Sequence, residues 1–224
     1  MMYKDLFYFD IETTTKYKDI VELEKLDPRG YSLFIKKCQS MKEFDISWNE
    51  PPKFLYSAKA SLFPEYGKII CMSFGVFKDE KIEIRTLIDE NEEKLMQRIQ
   101  NVFYKLMSTN KRLCGFKIKA FDIPWLNRKM YKYGIDIPRS INFSGLKPWE
   151  IVVTDLYEIW KGTSNNGTSL DEMTYELGIE SPKKLMSGSD VYHYYWDHKD
   201  TESIINYCEA DIMSMIESAK KLKV

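Results

Sequence analysis

The chain has 224 residues, 44% of them hydrophobic and 30% charged, with a formal net charge of −1. That length and composition exclude a disordered or fibrous chain and fit a soluble globular domain with a sizeable core. Near-neutrality excludes a protein that coats long duplexes by charge alone, but not one that grips a short strand end in a local groove. Aromatic residues reach 14%, including 15 tyrosines, and exposed aromatics are one way to stack unpaired bases.

In chain order, Leu6 to Ile11 (LFYFDI) is an apolar, aromatic run that predicts a buried strand. The N-terminus, MMYKDLFYFD, shows no signal-peptide pattern, and no apolar run reaches transmembrane length. The expected location is the cytoplasm, with no membrane partner. A polar stretch follows to about Leu62, with helical spacing at Ile20 to Leu26 and Tyr31 to Ser40 and a break at Pro51-Pro52. It reads as an insertion over 16–62 within a single domain spanning 1–224.

Ile69 to Phe77 and the alternating Ile82 to Leu87 flank the polar turn Lys78-Asp79-Glu80-Lys81 and predict an antiparallel hairpin. Glu90 to Met107 places Leu95, Ile99, Val102, Phe103 and Leu106 at helical spacing. Arg112 to Phe116 predicts a short strand, and Ile123 to Tyr133 a helix stopped by Gly134, with Pro124 in its first turn. Glu150 to Thr154 predicts a fifth strand, followed by a helix from Asp155. Ser169-Leu170-Asp171-Glu172 is a capping-box pattern opening a helix that ends near Gly178. The last helix is expected from Asp200 to Leu222. This order predicts a mixed α/β sheet flanked by helices.

From Lys111 to Lys147 nine lysines or arginines stand against two aspartates, a local balance of +7. It reads as a solvated face or as a basic edge turned to nucleic acid. The cysteines Cys38, Cys71, Cys114 and Cys208 form no CxxC pair, so a zinc site is not expected. Cys71 and Cys114 lie in apolar runs and read as reduced core residues.

Three acidic elements carry the candidate chemistry. Asp10 and Glu12 close the first strand two residues apart, so both side chains point to one face. Paired carboxylates there repel one another unless a cation is shared, and hard oxygen ligands favour magnesium or manganese over zinc. Asp122 stands between a strand and a helix N-terminus, as a helix cap or a ligand. Tyr207 and Asp211 lie at i, i+4 on one face of the last helix. Taken singly, each reads as ordinary strand-end, cap, core or surface. Asp155 fits a helix cap better than a metal ligand. The aromatic stretch Ser187 to His198 reads as a loop, either over a substrate end or packed on the body.

In their order, FDIET (9–13), GFKIKAFDIPWL (115–126) and YCEAD (207–211) resemble the three motifs of the DEDDy exonucleases. The resemblance is greatest to the proofreading exonuclease domain of family B DNA polymerases and to stand-alone predicted relatives. It spans Asp10 to Asp211. It implies an RNase H-like (DEDD exonuclease) fold with a mixed five-stranded sheet. It also implies 3′→5′ hydrolysis of terminal phosphodiester bonds in single-stranded nucleic acid, DNA before RNA, with two Mg2+ or Mn2+ ions and release of nucleoside 5′-monophosphates.

In that resemblance Asp10 bridges both ions, Glu12 and Asp211 complete one site, Asp122 serves the second, and Tyr207 orients water. Lys117, Phe121 and Trp125 fall on the substrate-binding motif. Lys117 departs from the family's usual Asn, which puts the grip on the strand in question. The position a histidine variant needs is Asn206. A single-stranded 3′ end is the expected partner, and a separate polymerase or repair protein is a candidate second one. An exoribonuclease of the same fold and a non-catalytic nucleic-acid-binding module are the rival readings.

Overall fold

A computed structural model describes residues 3–180 and 186–224. Its centre is β1, Leu6–Thr15. The alternation of a strand sends Phe7, Phe9 and Ile11 into one core cluster. Leu6 and Tyr8, in the opposite phase, enter another. Asp10 and Glu12 continue that second phase.

Between β1 and β2 (Gly67–Lys78) run α1 (Ile20–Leu26), α2 (Pro28–Met41) and α3 (Pro52–Lys59). Asp19 caps α1 by accepting from the Val21 and Glu22 amides, and Asp27 caps α2, whose first turn begins with Pro28. These helices bury their own cluster, in which the Phe34 ring meets Tyr56 and Tyr66 edge-on at 5.3 and 5.1 Å.

β2 turns back into β3 (Lys81–Ile88), followed by α4 (Glu92–Leu106), β4 (Arg112–Gly115) and α5 (Asp122–Tyr133). The chain then passes through β5 (Thr154–Asp155), α6 (Leu156–Lys161), α7 (Leu170–Glu176) and the turn α8 (Val191–His193) to the long α9 (Thr201–Leu222). The sheet has five strands in the order β3-β2-β1-β4-β5. β1 is antiparallel to β2 and parallel to β4, so the sheet is mixed. α4 and α5 cover the Phe7–Phe9–Ile11 face. α6, α7 and α9 cover the other, through Leu156, Met173, Ile212 and Met215.

α9 lies close on β2, because a Cβ at Gly75 would stand 2.8 Å from Ile212 Cγ2. A second tie is polar: Thr86 Oγ1 donates to Glu209 Oε1 at 2.6 Å and shares a 2.8 Å hydrogen bond with Ser73 Oγ. On the opposite face the buried Lys129 ammonium donates to the Gly67 carbonyl at 2.6 Å and pairs with Glu92 at 3.0 Å. Burial works to raise the Glu92 pKa, but Lys129, the Tyr133 hydroxyl and Lys132 together hold it below the usual carboxylate range. Burial pushes Lys129 down to about 8 against the pull of Glu92.

Three elements differ from the sequence reading. β1 runs on to Thr15, because Thr13, Thr14 and Thr15 pair with Ile69, Lys68 and Gly67 after a β-bulge that leaves Ile70 as the extra residue on β2. β5 is only two residues long, pairing Thr154 and Asp155 with Cys114 and Gly115, while Pro148–Glu150 forms a 3-10 turn. The stretch from Ser187 to His198 is helical rather than an open loop, with α8 running into a π-helical turn over Tyr194–His198. It is packed onto the body: Trp196 Nε1 donates to Thr15 Oγ1 at 2.8 Å and the Tyr192 hydroxyl to the Lys18 carbonyl at 2.6 Å.

Several cations of the basic run 111–147 are engaged within the chain. Lys119 pairs with Glu158, Arg128 approaches Glu65, Lys129 and Lys132 share Glu92, and Lys111 donates to the Lys4 carbonyl. All four cysteines are free thiols and buried.

Candidate active site

β1 presents Asp10 and Glu12 toward α9. Asp10 is partly exposed and Glu12 only 7% exposed. The Cys208 thiol, one residue after Tyr207 on α9, donates to Asp10 Oδ2 at 3.5 Å. Ligand atoms of Asp10, Glu12 and Cys208 all lie within 4.8 Å of one another. The position of Cys208 inside YCEAD, rather than its spacing to other cysteines, is the sequence signal for this contact.

Asp122 arrives from the other side of β1. Phe121, not Asp122, occupies the cap position of α5. The Asp122 carboxylate instead accepts from the Ile11 amide at 3.1 Å, between the two β1 carboxylates in sequence. The tight turn before it depends on Gly115: a Cβ there would meet Ile118 Cγ2 at 2.2 Å and the Phe9 carbonyl at 2.9 Å. Asp155 holds this turn from outside, accepting from the Lys117 and Lys119 amides at 2.9 and 3.1 Å while capping α6 through the Tyr157 amide. It acts as a cap and a turn clamp.

Tyr207 and Asp211 come from one face of α9. Tyr207 is 7% exposed, and its hydroxyl hydrogen-bonds the Asp211 carboxylate one turn on. The turn at Ser187–Asp190 lies over it, since a Cβ at Gly188 would sit 4.0 Å from the Tyr207 hydroxyl. Tyr207 is thus a core residue by burial and a site residue by its polar tip.

Burial and like charge act together on these groups. Burial raises Asp10 well above the ordinary carboxylate value, and Asp122 and Asp211 raise it further. Glu12 is raised by burial, then by Asp10 and Asp211. Burial lifts Asp122 to about 7 despite the Ile11 amide, with Asp155 and Asp211 adding to the rise. Tyr207 is pushed up by burial and then by Asp211, Glu12 and Asp10, so its phenol is protonated at neutral pH. Among the described residues no lysine, arginine or histidine pairs with Asp10, Glu12 or Asp122. Buried carboxylates in mutual repulsion without a cationic side chain are a donor set that a hard divalent cation would satisfy.

The remaining candidates are Lys117, Phe121 and Trp125. Lys117 adopts a left-handed backbone, φ 62°, and its ammonium sits over the Tyr157 ring at 4.6 Å. The Phe121 ring is partly exposed beside Trp125. Trp125 is 1% exposed, packed against Gly67 with the Lys129 ammonium over its ring at 5.4 Å. The expectation that it lines the substrate path is therefore corrected: its ring is enclosed and has no face to offer a strand.

A family model described as the RNase H superfamily matches residues 60–223. Among solved structures, the chain is similar to the family B DNA polymerase from the hyperthermophilic archaeon Pyrobaculum calidifontis. The TM-score is 0.61 at 15% identity, covering 97% of this chain and 24% of that one. The chain thus spans about a quarter of that polymerase's length. No curated protein matches the sequence.

Proposed function

The chain belongs to the RNase H superfamily, and from that premise we propose that it is a 3′→5′ exonuclease acting on the ends of single-stranded nucleic acid. One observation carries the reading. Asp10 and Glu12 stand together beside the Cys208 thiol, Asp122 accepts from the Ile11 amide between them, and Asp211, on the α9 face that carries Tyr207, adds to the raised pKa of Asp10 and Glu12.

Asp10, Glu12, Asp122 and Asp211 would hold a pair of Mg2+ or Mn2+ ions. When bound, such ions activate water at neutral pH and stabilise charge on the leaving 3′-oxygen. Glu12 and Asp122 are anchored by burial and by the Ile11 amide, so the distances between carboxylates are set before a strand arrives. The Cys208 thiol holds Asp10 in its orientation. Tyr207 keeps its proton and directs a water toward the terminal phosphodiester by hydrogen bonding. It does not serve as the base.

The products are nucleoside 5′-monophosphates. DNA is the first substrate to try and RNA the rival, the two strands differing at the 2′-hydroxyl. The test is degradation of a 3′-labelled single strand with magnesium, with manganese and with chelator, beside a 5′-labelled control and an RNA strand of the same sequence. Stepwise loss of the 3′ label that needs metal and disappears in Asp10→Ala is expected. Equal rates for Asp10→Ala and the unaltered protein would remove the assignment.

A further inference from the structure

The sheet face opposite the carboxylates is incompletely covered. α4 packs over Phe7 and Phe9, but it leaves Phe74, Val76 and Leu87 of the β2–β3 hairpin partly exposed beside its own Val102. Together they floor a trough of about 670 Å³. One side of α4 lines it from Arg98 through Val102 and Lys105 to Leu106, and Thr109 lies just beyond. From Arg98 to Leu106, at 1.5 Å per residue, the helical wall is roughly 12 Å long, a little over two turns.

Its rim is mainly basic. Lys78, Arg85, Arg98, Lys105 and Lys111 border it with one acid, Glu83, in the lining, and Asp89 stands 3.7 Å from Arg98. Lys78 and Arg85 both lean on Glu83, at 2.9 and 3.3 Å, so one carboxylate serves two cations. Among the described residues Lys105 has no acidic partner.

We propose that this trough is the docking site of an acidic amphipathic helix from a partner protein. An apolar stripe would cover Phe74, Val76, Leu87 and Val102, and flanking carboxylates would meet the rim cations. Val76, Leu87 and Val102 offer nothing to sugars and phosphates, and the Phe74 ring is already stacked on Phe7 at 5.5 Å, which disfavours a nucleic-acid strand. The even-numbered phase of β1, where Asp10 and Glu12 lie, faces away from it. The proposal stands independently of the nuclease reading.

The probe is a fluorescein-labelled 18-residue peptide with leucine at i, i+3, i+4 and i+7 and glutamate on its other faces. A lysine-for-glutamate counterpart and a single-stranded oligonucleotide serve as comparisons. The acidic peptide is expected to bind saturably and to slow amide exchange over 74–87 and 98–109. Val76→Glu, and separately the charge pair Arg85→Glu with Lys105→Glu, should weaken it about tenfold or more. Strand-degradation rates should stay unchanged in both variants. No saturable binding, equal binding of the lysine peptide, indifference to both variants, or protection of the trough by the oligonucleotide instead would each overturn the proposal.

Discussion

A carboxyl group ionises reluctantly when it is buried beside others, and Asp10, Glu12 and Asp122 are so placed. Their folded pKa values lie above the unfolded values near 4, so the metal-free folded state binds more protons than the unfolded one. The stability they contribute is complete below about pH 4 and is lost as pH rises through the folded values, about 7 for Asp122. With chelator present, the melting temperature is expected to fall from about pH 5 to about pH 8. Magnesium should restore it at the upper end, and Asp10→Asn should flatten the slope. A melt series that is steepest in Asp10→Asn would contradict this account. Tyr207→Phe removes only a hydroxyl, so its burial in the Ile70–Cys71–Ile204 cluster survives. Turnover is expected to drop about 10²-fold while the melting curve and metal titration hold, read by single-turnover strand cleavage.

At the scale of elements, two joints decide where the helices sit. Lys129→Met leaves Glu92 buried with fewer partners, and a loss of about 3 kcal/mol is expected in urea titration. Adding Glu92→Leu should recover most of it, because an apolar pair of similar volume replaces the ions. Gly115→Ala forces a methyl against Ile118 and the Phe9 carbonyl. A loss of about 2 kcal/mol is expected, with reduced cleavage because the turn bearing Asp122 shifts. The elements legible in the sequence were those with both period and punctuation. α1 has its Asp19 cap, α5 has Gly134 in the left-handed conformation as its stop, and α7 has its Ser169–Glu172 capping box.

The misread elements depended on partners far along the chain. Ile151-Val152-Val153 looked like strand, yet β4 offers only Arg112–Gly115 before its glycine turn peels away, and Val152 is left exposed. Thr13 to Thr15 looked like loop, yet β2, Ser61 and Trp196 satisfy them as strand. Trp125 stood inside a motif for binding strands, and nothing local reveals that Gly67 and Lys129 enclose it.

For the whole molecule, Asp10 and Glu12 sit side by side with Asp122 tied to the Ile11 amide between them, an arrangement that follows from the order of strand, turn and helix along the chain. Their supports were not legible. The Ile11 amide, the Cys208 thiol, the Asp155 clamp and the Gly188 turn are contacts across folded distance. Thr15 and Gly67 face one another in the antiparallel ladder, so the helices α1 to α3 leave and re-enter the sheet at neighbouring points. Replacing 17–65 by a two-residue Asn-Gly link is expected to leave a cooperative melt and the same sheet signature in circular dichroism, at lower stability. Loss of cooperative unfolding would show that these helices are part of the core rather than an appendage.

The alternation along β1 sets a rule for how this chain can change with time. Phe7, Phe9 and Ile11 belong to the interior and Asp10 and Glu12 to the acidic corner, so gaining or dropping a single residue there would exchange oil for acid along everything downstream of the scar. Point replacements in the strand are survivable one by one, whereas indels are not. Inheritance in this lineage should therefore tolerate stretching and shrinking at the hinge after Thr15 and almost none in the decade of residues before it.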